Sequence, residues 1–166
     1  MRHKFIYLLV LLLGSCVEGP SGKTSDGFDR KAALTNWADN IITPAYQAFQ
    51  SELTALEKAT DTFVSSPTTT TFEQLQADWL TAYKAWQHIE MFNIGKAEEF
   101  YYHLKMNTYP CNKTIITNNI ENQMHDLSAE NASNYTAQGF PALDYLLYGL
   151  EGDILQKYQG DSSLIT

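Results

Sequence analysis

The residues of this chain whose types and spacing bear on chemistry are few: four histidines, His3, His88, His103 and His125, and a scatter of carboxylates. His88 stands two residues before Glu90, and at about 100° per helical residue their side chains point to nearly opposite faces, a poor arrangement for sharing one metal. His103 lies among Glu98, Glu99, Tyr101, Tyr102 and Met106, a set that can meet iron or haem if the segment folds over it. The competing reading is an aromatic loop packed on a bundle, because no C-x-x-C-H, paired-histidine or E-x-x-H spacing accompanies it. A third location is the stretch GFPALDYLLYG, Gly139 to Gly149, with one carboxylate, Asp144, in an apolar run. Positions 141 and 144 share a helix face, yet position 141 is a proline, which coordinates nothing. Asp144 is left as a lone oxygen donor on its turn. No G-x-S-x-G, Gly-rich phosphate loop or H-E-x-x-H is present, so no catalytic residue is assigned.

The elements that must position these residues are helical. Leu34, Trp37 and Ile41 recur three and four apart, Pro44 interrupts, and Phe49, Leu53, Leu56, Thr60 and Phe63 resume the rhythm, so the proline is expected to kink one helix or separate two. The tract SSPTTTT, Ser65 to Thr71, predicts a turn, with Thr70 and Glu73 as a capping box for the next helix. Leu75, Trp79, Ala82, Trp86 and Ile89 then follow a 4-3-4-3 spacing that puts two indoles on a buried stripe, in a helix expected to stop near Gly95. Lys96 to Asn112 loses the pattern and reads as a long connection over the bundle, a class of segment that tends to be functional. A short helix is expected over Thr114 to Asp126, a polar connection over Leu127 to Gln138, and a last helix opening at GFPALDYLLYG with Pro141 in its first turn. No segment alternates like a strand. The class is all-α, an up-and-down helical bundle.

The N-terminus MRHKFIYLLVLLLGSC sets Arg2 and Lys4 before an apolar run from Phe5 to Leu13, the form of a secretory signal too short for a stable membrane span. Its L-G-S-C ending matches a bacterial lipobox, which predicts residues 1–15 as signal peptide, lipid on Cys16, and a flexible tether to about residue 27 ahead of the bundle at 28–166. The alternative is an ordinary cleaved signal with a coincidental cysteine. With Cys16 given to lipid, Cys111 has no disulfide partner, so a packed core must hold the fold. Loss of Arg2 and Lys4 makes the mature chain two units more negative than the net -8 of the whole sequence. That charge disfavours nucleic acid as a partner and is compatible with cations or basic ligands.

Three segments resemble the imelysin-like family, which includes insulin-cleaving membrane peptidases and the iron-regulated protein A group. WADNIITPAYQAF, Trp37 to Phe49, resembles the family's opening helix through Asn40, Ile42, Pro44 and Tyr46. WLTAYKAWQHIEMFNIG, Trp79 to Gly95, resembles a tryptophan-rich helix reaching a glutamate, an aromatic and a glycine, here Glu90, Phe92 and Gly95. GFPALDYLLYG aligns with the family's G-x-H-x-x-E, with Pro141 and Asp144 in the histidine and glutamate places. The resemblance implies an exported, often lipid-anchored bundle that forms one half of a two-bundle protein. It also implies that an apolar face is covered by a C-terminal half or by a partner protein.

The resulting expectation is a bacterial cell-envelope lipoprotein, facing periplasm or cell surface, that binds a ligand connected with iron or haem acquisition; the iron link comes wholly from the family. The alternatives are a metallopeptidase of the imelysin type, weakened by Pro141, and a non-catalytic envelope interaction module. Glu90 and Asp144 are the expected oxygen donors from different helices, with His88 or His103 nearby.

Overall fold

The structure is a computed structural model that describes residues 26–124, 131–161 and 164. The signal segment, Cys16, almost all of the tether, and His125 lie outside the described residues. The chain divides into two units, residues 1–33 and 34–166. In the described part of the first, Arg30 donates to both carboxylate oxygens of Asp26, at 3.0 and 2.6 Å, which lowers the Asp26 pKa.

Helix α1 (Arg30–Trp37) has no buried residue and continues into a π-helical turn, Ala38–Ile42, and then α2 (Thr43–Ser65). Pro44 therefore neither breaks nor separates the helix. Because proline has no N–H to donate, the ladder has to change register around it, and the wider π turn ahead of it absorbs the change, with Thr43 N donating to Ala38 O. The buried stripe of α2 is Phe49, Leu56, Ala59 and Phe63; Leu53 is half-buried and Thr60 is exposed, its hydroxyl turned back onto Leu56 O at 2.8 Å.

Helix α3 (Thr69–Gln87) is capped by Thr68 and not by Thr70. Thr68 Oγ1 accepts from Thr71 N while Thr71 Oγ1 accepts from Thr68 N, so a threonine fills the place expected for Glu73. The helix buries Phe72, Leu75, Trp79, Ala82 and Trp86 against α2. It ends at Gln87, eight residues ahead of Gly95, yet the following turn keeps helical hydrogen bonds from Ile89 N and Glu90 N to Trp86 O, so Ile89 stays on the buried stripe.

The segment expected to be a long connection folds into two short helices, α4 (Lys96–Glu99) and α5 (Tyr102–Asn107). Gly95 begins α4 with φ +59, and Tyr101 sits in the left-handed region between them, which turns the chain sharply. Helix α6 (Lys113–Glu121) starts where Asn112 caps Ile115 N and ends short of Asp126. A 3-10 turn (Ala132–Ala137) buries Tyr135, and Thr136 O accepts from Asn112 N at 2.7 Å.

The quoted stretch opens α7 (Gly139–Asp144), with Pro141 in its first turn and buried, and runs into a second π-helical turn, Tyr145–Gly149. Helix α8 (Ile154–Gly160), capped by Asp153, was not evident from the pattern. Phe140 anchors α7 in the core between Phe49, Tyr83 and Trp86, and its carbonyl accepts from Trp79 Nε1 at 3.3 Å. No strand occurs among the described residues, and the architecture is an all-α helical bundle.

Helix α8 closes the other end of the core through Tyr158, whose ring meets Phe63 edge-on and whose hydroxyl donates to Leu146 O at 2.9 Å. Burial pushes the Tyr158 phenol up to about 12 from 10.0. Above pH 10 the unfolded chain releases this proton while the folded chain keeps it, so the contribution is full below pH 10 and is lost as pH approaches 12. The loss should amount to roughly 2 kcal/mol. Denaturant melts at stepped alkaline pH should show that slope in the native chain and a shallower one in Tyr158→Phe.

Candidate functional site

The described residues place the four sequence-derived candidates in three places. Asp144 is exposed at the end of α7, where its charge helps raise the pKa of Tyr148 after burial of that phenol. His88 is exposed and lines a cavity of about 380 Å³ with Asn40, Ile41, Ala45, Ala48 and Ala85. Glu90 and His103 come together: both line a cavity of about 350 Å³, with Trp86, Gln87, Met91 and Asn107 completing the wall. Asp144 is not in that wall.

The positioning follows from the helices. Trp86 closes the buried stripe of α3, and Glu90, four residues on, sits one helical turn further along the same face. Helix α5 supplies the opposite wall through His103 and Asn107, again four apart. Asn107 Nδ2 lies 3.4 Å from Glu90 Oε2, a long hydrogen bond that ties the two walls together. Tyr102, beside His103, meets the Trp86 ring edge-on at 5.5 Å and fixes the start of α5. Burial raises the Tyr102 pKa, as does neighbouring Tyr46, whose hydroxyl donates to Phe92 O.

Gly139 holds the far end of α5 in place. Its φ is +72, and a Cβ built there would fall 2.3 Å from Met106 O and 2.5 Å from Lys105 O. Only glycine lets the α5 backbone come this close to α7. The stretch GFPALDYLLYG therefore serves the cavity through packing, by seating the helix that carries His103 and Asn107.

Two of the wall residues hold a buried polar nitrogen without a hydrogen-bond partner, Trp86 Nε1 and His103 Nδ1. An unsatisfied buried polar atom costs about 1–3 kcal/mol, so the Trp86 N–H and the His103 nitrogen behind this wall favour a small opening that admits a water or ligand atom. A carboxylate and an imidazole are donor types that iron accepts. No group of three or more His, Cys, Asp or Glu side chains suited to a metal occurs among the described residues, which bring two such donors, Glu90 and His103, to this cavity. Trp86, Gln87, Met91 and Asn107 were missed from the sequence. The usable signal was the pair of i, i+4 spacings, Trp86 with Glu90 and His103 with Asn107.

An all-α bundle with a cavity between a tryptophan-rich helix and a glycine-seated helix is the class of protein these features define. Residues 42–161 match the family model for imelysin, and the chain belongs to the imelysin family. It is similar to the "Iron-regulated protein A" of Synechococcus elongatus, with 27% identity over 138 residues, covering 78% of this chain and 36% of that protein. The chain thus spans little more than a third of the length of the curated relative it matches. No solved structure matches it.

Proposed function

We propose that this chain is a cell-envelope lipoprotein, held to the membrane through lipid on Cys16, that acts as a non-catalytic ligand-binding component linked to iron or haem acquisition. The observation that carries the reading is the shared cavity of Glu90 and His103, with its two unpartnered nitrogens. The iron link rests on the name of the relative from Synechococcus elongatus. A peptidase role receives less support, because Pro141 offers no donor and, among the described residues, the cavity wall carries one carboxylate and one imidazole. No helix among the described residues is long and apolar enough to cross a membrane, which is compatible with attachment by lipid.

A further polypeptide, either a C-terminal half or a partner protein, is proposed to cover the exposed stripe of Leu34, Trp37 and Ile41, which are 62%, 57% and 48% exposed. Isolated exposed apolar residues are ordinary, but three on one helical face form a surface suited to another helix.

The test is calorimetric titration of the chain from residue 17 onward with ferrous iron, ferric iron, zinc and haem. Saturable binding of at least one, weakened roughly tenfold or more in Glu90→Gln, is expected. No heat from any of them would overturn the iron link and leave the interaction module as the reading.

A further inference from the structure

The charge at the cavity is one-sided. Glu90 is the only carboxylate among the six wall residues, and no lysine or arginine lines the wall. Glu90 joins neither of the two ion pairs among the described residues, Arg30 with Asp26 and Lys96 with Glu99, and its one hydrogen bond there is the long contact from Asn107. Glu90 is exposed and free of an ion pair, so its carboxylate is open to a positive group arriving from solvent. The rest of the wall is suited to more than a bare ion. The exposed thioether of Met91 offers polarisable surface in front of the buried Trp86 ring, and the amides of Gln87 and Asn107 offer oxygens to N–H donors. At about 350 Å³ the space corresponds to roughly ten water volumes of about 30 Å³ each, enough for a small organic molecule.

We infer that the Glu90 cavity binds a small organic cation, a guanidinium or primary ammonium on an aliphatic stem. The charged head pairs with Glu90 and donates to the amide oxygens, and the stem lies along Met91 beside the Trp86 indole edge. Arginine has all of these features. Citrulline has the same length and shape without the charge. This inference rests on the reading of the cavity as a ligand site and is independent of the iron link.

The chain has three tryptophans, so the indole N–H region of a nitrogen–proton NMR spectrum reports directly on Trp86 once its signal is assigned through Trp86→Phe. Titration with arginine is expected to move the Trp86 signal saturably, with citrulline at least roughly tenfold weaker and Glu90→Gln costing arginine a similar factor. Glu57→Gln, an exposed change on α2, serves as the charge control and should leave the titration unchanged. Equal binding of citrulline, an unaltered response in Glu90→Gln, or no response to arginine would each overturn the inference. Iron or haem binding without arginine binding would sink this inference alone. Arginine binding without iron or haem would sink only the iron link, and silence from all of them would remove the cavity as a ligand site.

Discussion

Gly139→Ala is expected to destabilise the bundle by about 3–4 kcal/mol and to lower its melting temperature by roughly 8 °C or more. Two effects combine. An alanine at φ +72 sits in the left-handed region, which costs about 1–2 kcal/mol. Its Cβ would also meet the backbone carbonyls of Met106 and Lys105 at 2.3 and 2.5 Å, about 1 Å inside an ordinary contact. Backbone cannot rotate out of the way as a side chain can, so α5 has to move. That movement shifts His103 and Asn107 away from Glu90, and ligand affinity should fall together with stability. Thermal melts read by far-ultraviolet circular dichroism check the first part, and titration well below the melting temperature checks the second. An alanine variant as stable as the native chain would refute the close approach of α5 and α7.

The second large effect is at Trp86. It is 2% exposed and its ring contacts Phe49, Phe140 and Tyr102, so Trp86→Ala should cost about 3–5 kcal/mol through lost burial and the cavity left behind. Trp79 Nε1 donates to Phe140 O, whereas Trp86 Nε1 has no partner. Replacing Trp86 by phenylalanine removes an unsatisfied donor along with ring volume, and the two changes offset in part. Replacing Trp79 by phenylalanine removes volume and a buried hydrogen bond together. Trp79→Phe should therefore be the more destabilising of the pair, by about 1 kcal/mol, in urea melts of the two variants. The reverse order would mean that Trp86 Nε1 is satisfied in solution.

Much of the fold is legible in the sequence because its long elements bury one stripe each. The 4-3-4-3 spacing from Leu75 to Ile89 places every core residue of α3 except Phe72, and it continues correctly through a turn where the helix itself has ended. Cores are set by which residues face inward, so the pattern outlasts the hydrogen-bond ladder. Shorter elements were less visible. Helices α4 and α5 have four and six residues, too few for a period to register; α5 depends on tertiary packing against α7 and Trp86, and α4 packs on α5. The cap at Thr68 was misplaced by two residues because threonine at Thr71 does the work usually given to glutamate. The Pro44 region was read as an interruption because a π turn leaves no simple trace in sequence.

The candidate site was legible only in fragments. Glu90 and His103 stand out as residue types, but nothing in a linear pattern says that α5 folds back onto the end of α3. In the structure Asn107 reaches Glu90 from α5, and Gly139 seats α5 against α7, a role for the glycine of GFPALDYLLYG that does not involve a metal pair. Asp144, exposed at the end of α7, is the carboxylate that this packing leaves outside the cavity.

The central claim is that ligand binds at the wall made by Glu90 and His103 and not at the Asp144 turn. Calorimetric titration of the native chain, Glu90→Gln and Asp144→Ala, side by side with the same ligands, tests it most directly. The account predicts that affinity falls roughly tenfold or more in Glu90→Gln and stays within about twofold of native in Asp144→Ala. Binding that survives Glu90→Gln and is lost in Asp144→Ala would contradict it.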